Sequence, residues 1–169
     1  MKTVFAGMIV LAMCFTVMWT VKGYAAKSDE AQIRELLDHW AKAFRAHDRN
    51  GIMSIYESGN ALVAYDLVGP LQFSGSDAYQ KDNREFLDQL QGPIDVEMRD
   101  LSIATGGSTA FSHGLERISG TMKNGEKLEV WVRFTECYRK SNGQWLAVHD
   151  HISVPAGFAT GKAALDLKP

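Results

Sequence analysis

Two strand-like runs joined by a turn at Asn142-Gly143 gather the residues of this chain best suited to chemistry. One run is Leu128 to Tyr138 and the other is Trp145 to Pro155. Side chains alternate across a strand, so Trp131, Arg133 and Thr135 share one face, and His149, His151 and Ser153 share a face of the next run. A neutral imidazole accepts a proton near neutral pH, which suits abstraction next to a carbonyl. A guanidinium holds a carboxylate or stabilises an enolate, and an indole supplies a flat apolar wall. His149 and His151 are therefore the candidate acid–base pair. Trp131, Arg133 and Thr135 are the candidate ligand contacts, and the Tyr65 hydroxyl is placed to join them.

Each residue also has a plainer reading. Arg133 could pair with Glu116 or Asp66 inside the fold, with both histidines in the same network. The alternation puts Asp150 on the face opposite the histidines, toward a strand neighbour or a partner subunit. His149-x-His151 has the spacing of two metal ligands on one side of a strand, with His113 or Glu116 as a third. The helix-first layout contradicts the barrel such sites occupy, so no metal is assigned. Tyr65 and Tyr79 could reach a cavity or simply fill the core. His39 and His47 belong to the first helix, and His47 at its end complements the dipole.

The elements that position these residues follow from periodicity. From Ser28 to His47, Ile33, Leu36, Leu37, Trp40, Ala41 and Phe44 recur on one helical face. Asp29 and Gln32 read as a capping box. Asp48 to Gly51 breaks that helix, and a short second helix is expected over 52–57. Short strands are expected over 61–65 and 71–73, then a helix opened by Ser76 and stopped by Gly92-Pro93. Four long strand-like runs follow, over 94–104, 109–121, 127–140 and 144–154. Gly106-Gly107, Asn124-Gly125 and Asn142-Gly143 separate them as hairpin turns. Helices followed by an antiparallel meander make an α+β layout with helices on one face of a curved sheet. Both sheet faces carry apolar residues and one helical layer covers only one of them. The other face calls for a second copy, so a homodimer through the sheet is expected.

The 169 residues suit one domain with an appendage. Lys2 precedes an uncharged apolar run from Val4 to Val21, and Ala25 offers a small-residue cleavage site, so residues 1–25 read as a signal peptide. The domain then spans 26–155 and a tail spans 156–169. The product would be exported, periplasmic or secreted, with no stable membrane association once the signal is removed. If retained, the run is long enough to anchor the chain. Removing Lys2 and Lys22 from 18 basic residues, against 20 acidic ones, leaves a net charge of about −4. With no basic stripe, nucleic acid is disfavoured as a partner. Cys14 leaves with the signal, so Cys137 remains alone and no internal disulfide is available. No Gly-rich nucleotide turn follows a strand, so no nicotinamide or other cofactor is assigned.

The Trp40 helix, the His47-Asp48 break, Asp66 before Gly69-Pro70-Leu71, the Trp131 to Thr135 strand and the His149-Asp-His-Ile-Ser-Val-Pro155 ending together resemble a known family. It is the SnoaL-like, ketosteroid-isomerase-like branch of the nuclear transport factor 2 (NTF2-like) superfamily. The resemblance runs from Ser28 to the C-terminus. It implies a cone: N-terminal helices packed on a strongly bent antiparallel sheet that encloses a cavity, usually in a dimer. It also implies that Asp66 enters the cone as a candidate catalytic acid beside the histidines. The Tyr and second Asp of the family isomerase's oxyanion hole have no residue-by-residue match here. The implied function is a small-molecule pocket, with a cofactor-independent isomerase, lyase or cyclase acting on a small apolar carbonyl or hydroxyl compound. The alternative is a non-catalytic ligand-binding or dimeric association module, since the fold hosts both.

Overall fold

The computed structural model describes residues 27–169. The expected signal peptide, its anchor alternative and Cys14 lie outside the described residues. Among the described residues no helix is long and apolar enough to cross a membrane.

Helix α1 covers Asp29–Arg45, and Ile33, Leu37, Trp40, Ala41 and Phe44 are its buried stripe. Its N-cap is Ser28, whose hydroxyl accepts from the Ala31 amide at 3.2 Å. Asp29 does not close a capping box. Its carboxylate instead accepts from Lys140 Nζ at 2.5 Å and from the Trp145 indole at 3.1 Å, tying the start of α1 to the last hairpin. The helix stops short of His47 because that residue turns left-handed, at φ 55°. Asp48 then caps α2, Arg49–Met53, by accepting from the Gly51 amide at 3.0 Å. This local cap starts α2 three residues before the expected position.

A 3-10 turn at Gly59–Ala61 leads into β1, Val63–Tyr65, then β2, Phe73–Ser74, and α3, Ser76–Leu87. The long strands are β3, Leu90–Gly106; β4, Thr109–Met122; β5, Lys127–Ser141; and β6, Gln144–Ser153. Gly92-Pro93 does not end α3. It sits inside β3 where the register with β4 shifts, the bulged position at which a strand tolerates proline.

The sheet order is β2-β1-β6-β5-β4-β3. All pairings are antiparallel except β1 with β6, which is parallel. The helices cover the inner face of this curled, unclosed, mixed sheet, and Ile33, Leu37, Ile52, Ile55, Leu62 and Val96 form the sealed centre of the core.

One irregularity decides which side chains face inward. Along β5 the even positions Val130, Val132, Phe134, Glu136 and Tyr138 are buried. In β6, Tyr138 pairs with Ala147 while Cys137 pairs with His149, so Val148 is an extra residue in the ladder. A one-residue bulge inverts the side-chain alternation beyond it. Trp145 and Ala147 face the core before the bulge, and Asp150 is the buried residue after it, with His149 and His151 turned outward.

Candidate active site

The inner face, α1, α3 and the chain tail enclose a cavity of about 450 Å³. Trp40 and Phe44 come from α1, Phe86 from α3, and Val130, Val132 and Ile152 from the sheet. Ala163 and Leu165 of the tail complete the wall. An Ala156–Ala163 bridge folds the tail back, and Lys168 pairs with Glu129 at 2.7 Å.

Asp150 is the focus of the polar lining and is 2 % exposed. Its Oδ2 accepts from the Tyr79 hydroxyl at 2.7 Å and from the Tyr56 hydroxyl at 2.9 Å. Both phenols are buried, and their rings meet edge-on at 5.3 Å. Oδ1 of the same carboxyl is buried with no hydrogen-bond partner. The Trp40 indole N–H is buried and unpartnered as well. A native interior pairs nearly all such atoms, so two orphans on one cavity mark where a ligand's polar groups belong.

Four more carboxyls line the same space: Asp66, Asp82, Glu116 and Glu136. Among the described residues no Lys, Arg or His lines it. Burial pushes Glu116 up to about 8, with the charges of Asp150 and Asp66 adding to it. Burial also raises Asp150 to about 6, and the two tyrosine hydroxyls restrain that rise. Glu136 lies well above the ordinary carboxylate range through burial and the Asp150 charge, although Tyr138 donates to it at 2.5 Å. Tyr138 in turn shares a 2.7 Å hydrogen bond with the Ser112 hydroxyl.

Of the residues the sequence singled out, Asp66 lines the cavity. Tyr79 and Glu116 line it too, whereas Tyr65, Trp131, Arg133, Thr135, His149 and His151 belong to the opposite face, a correction to the expected inner wall. His149 is half-buried there, and its Nδ1 donates to the Val63 carbonyl at 2.8 Å. The Tyr65 ring stands 4.9 Å from His149 and 5.5 Å from His151, edge-on to both. Trp131 lies under the Arg99 guanidinium at 5.0 Å. Arg133 and Thr135 are exposed, so Arg133 does not pair with Glu116 or Asp66 inside the cone. The outer face thus assembles Tyr65, His149 and His151, but leaves Asp66 on the other side of the sheet. Asp150, expected to meet a strand neighbour or partner subunit, is instead central to the cavity. His113 and Glu116 fall on opposite faces, and among the described residues no three His, Cys, Asp or Glu side chains converge on a metal position.

Sequence reasoning missed Glu136 and Asp150, and took Glu116 only as a pairing partner or a metal ligand. A signal was present for Glu136: it is the one charged residue in the apolar alternation Val130, Val132, Phe134, Glu136, Tyr138. A charge in a core-facing series is what a buried functional group looks like in sequence.

Comparison with known proteins agrees with this architecture. Residues 33–157 match the SnoaL-like domain family. An NTF2-like protein of unknown function from Pseudomonas putida KT2440 is 34 % identical, with a TM-score of 0.74 over 84 % of this chain and 99 % of that one. An NTF2-like structure from Streptomyces avermitilis assigned as a dehydratase has a TM-score of 0.67 at 15 % identity, over 76 % of this chain and 98 % of its own. A structure from Xanthomonas campestris assigned as a calcium/calmodulin-dependent protein kinase II association domain has a TM-score of 0.64 at 21 % identity, over 76 % of this chain and 89 % of that one. These last two likenesses concern the fold alone. No curated protein matches the sequence significantly.

Proposed function

The chain belongs to the SnoaL-like family, and on that premise we propose that it is a cofactor-independent isomerase or lyase that moves a proton on a small, largely apolar carbonyl or hydroxyl compound. Asp150 is the base and Glu116 the acid. The observation that carries this reading is the bare Oδ1 of Asp150, buried at the cavity while Oδ2 is held by Tyr56 and Tyr79. Two phenols fix the carboxyl's orientation and leave one oxygen for a substrate proton.

The proton affinities support opposite roles. At about 6, Asp150 is largely carboxylate at neutral pH; at about 8, Glu116 is largely acid. Titratable neighbours pushed apart in this way divide into base and acid. Asp150 would take a proton from a carbon next to a carbonyl, and Glu116 would donate to the oxygen where charge develops. The apolar walls exclude water and strengthen both interactions.

The test is hydrogen–deuterium exchange at the α-carbon of a panel of small cyclic ketones in D2O, followed by NMR. Exchange is expected with the native protein and lost in the near-isosteric Asp150→Asn, whose circular dichroism spectrum and melting temperature are measured alongside. If Asp150→Asn exchanges as fast as the native chain, the base is wrongly assigned. Binding of the ketones without exchange would instead make the cavity a non-catalytic capture site.

Two further readings belong to the same proposal. Lys2, the apolar run behind it and the small residue at Ala25 support export, which N-terminal sequencing of the protein made in its own host tests. Half-buried Trp131 with exposed Phe111 and Tyr65 on the outer face supports a homodimer through the sheet, tested by sedimentation equilibrium.

A further inference from the structure

The sign of charge around the cavity narrows the class of molecule it takes. Among the described residues five carboxyls line it and no basic side chain does. Asp150 and Glu136 are partnered by tyrosine hydroxyls. Asp66 is partnered differently: Oδ1 accepts from the Leu67 amide at 2.5 Å. Asp82, on α3, is half-buried and shares a hydrogen bond with the Asp66 carboxyl, and burial first, then the Asp66 charge, raises it to about 6. Once Asp82 ionises, above about pH 6, the two carboxylates stand together with no basic side chain among the described lining residues to balance them. The walls beside this pair are apolar and aromatic: Trp40, Phe44 and Phe86, with Leu67 and Val68. Aromatic faces attract a cation as well as an apolar body. An independent sign of a ligand is the unpartnered Oδ1 of Asp150 on the same cavity, on a side chain 2 % exposed.

We propose that the ligand is a lipophilic amine, its ammonium group seated at Asp66 and Asp82 and its apolar body packed against Trp40, Phe44 and Phe86. This rests on the cavity being the substrate site, and it names the charge class of that substrate. The ammonium supplies the cation missing from the lining. With it seated at the Asp66–Asp82 pair, the Oδ1 of Asp150 stays free for the reacting part of the molecule. Carboxylates and phosphates are excluded by the same two charges.

The experiment is titration calorimetry of the full chain with three probes of one shape: 4-phenylbutylamine, 4-phenylbutanol and 4-phenylbutanoate. The amine is expected to bind at least about tenfold more tightly than the alcohol, with the carboxylate weakest. The double variant Asp66→Asn with Asp82→Asn should remove the difference in affinity between the amine and the alcohol. Equal binding of amine and alcohol to the native chain overturns the charge preference and leaves the cavity as the ligand site. An amine preference that survives the double variant overturns the assigned seat. If none of the three binds, the amine proposal falls, while ketone exchange tests the proton-transfer reading separately.

Discussion

Tyr79 donates to the same oxygen of Asp150 that Tyr56 occupies, at 2.7 and 2.9 Å, so both phenols serve one lone-pair side of the carboxyl and leave the other bare. Tyr79 stands on α3 and Tyr56 bridges to Ala147 of β6, so tertiary packing of separate segments sets the aim of the carboxyl. Replacing Tyr79 by Phe removes one donor that favours the charged form, and the proton affinity of Asp150 rises. A hydrogen bond to a charged group is worth about 1.5–3 kcal/mol, and Tyr79→Phe should cost that much stability at pH above about 6. The basic-form limb of any pH–rate profile should move to higher pH. An NMR titration of the Asp150 carboxyl that stays in place would contradict this.

Stability should fall as pH rises across the neutral range. Folding raises Glu116 from 4.5 to about 8, and Asp82 and Asp150 from 3.8 to about 6, chiefly by burial. Between each ordinary value and its raised one, the folded chain holds protons that the unfolded chain has released, so the slope of stability against pH is negative there. The contribution is complete below about pH 4 and lost as pH passes about 8. Glu97, lowered chiefly by its hydrogen bond from Arg99, gives the opposite trend only below that window. Glu116→Gln should flatten the decline and raise the melting temperature at about pH 8 by on the order of 5 °C. A melting temperature independent of pH from about 5 to 8 in the native chain would refute the assignment.

His149→Ala and His151→Ala should leave ligand affinity in the cavity unchanged within about twofold, because both rings lie on the far side of the sheet. Self-association is where they should register, since Tyr65 rests edge-on against both. Calorimetry and sedimentation on the same samples separate the two effects. Cavity binding that collapses in either variant would return the histidines to the site.

Gly114 is placed where no side chain fits. A Cβ there would stand 2.8 Å from the Phe134 ring and 2.9 Å from the Arg99 carbonyl, and the latter is backbone that cannot step aside. It faces the second irregularity of β3, between Arg99 and Ser102, where Asp100 turns left-handed at φ 53°. Gly114→Ala should therefore cost about 1–3 kcal/mol through overpacking, read by urea denaturation. A midpoint equal to that of the native chain would show that the bulge yields freely.

Much of the architecture was legible because it follows from local rules. The Ile33 to Phe44 stripe specified α1, and three glycine-bearing turns specified the meander. The alternation of β5 also held, with Val130, Val132 and Phe134 on one face. What alternation does not encode is which face a curled sheet turns inward once both carry apolar groups. Polar groups on the odd face looked like the working surface, whereas the cone buries its carboxyls among the apolar even set. The bulge at Val148 was illegible for a different reason. Val148 is an ordinary strand residue, and its exclusion from the ladder comes from β6 meeting β5 on one edge and the 55–57 segment on the other, where Ala147 bonds to Ile55 and Glu57. That constraint is tertiary, and no count along the chain contains it.

The bulge has a consequence for how this protein is compared with its relatives. His149, Asp150 and His151 are consecutive, and one residue's difference in how β6 is threaded decides whether an imidazole pair or a carboxylate faces the interior. A relative carrying the same three letters but a straight ladder would present the opposite reagent to its ligand. For such a relative, alignment columns beyond Val148 would not stand for equivalent positions in space. Catalytic assignments should be transferred across this segment by hydrogen-bond register, because letter-for-letter transfer can carry a general base to the outer face of the sheet.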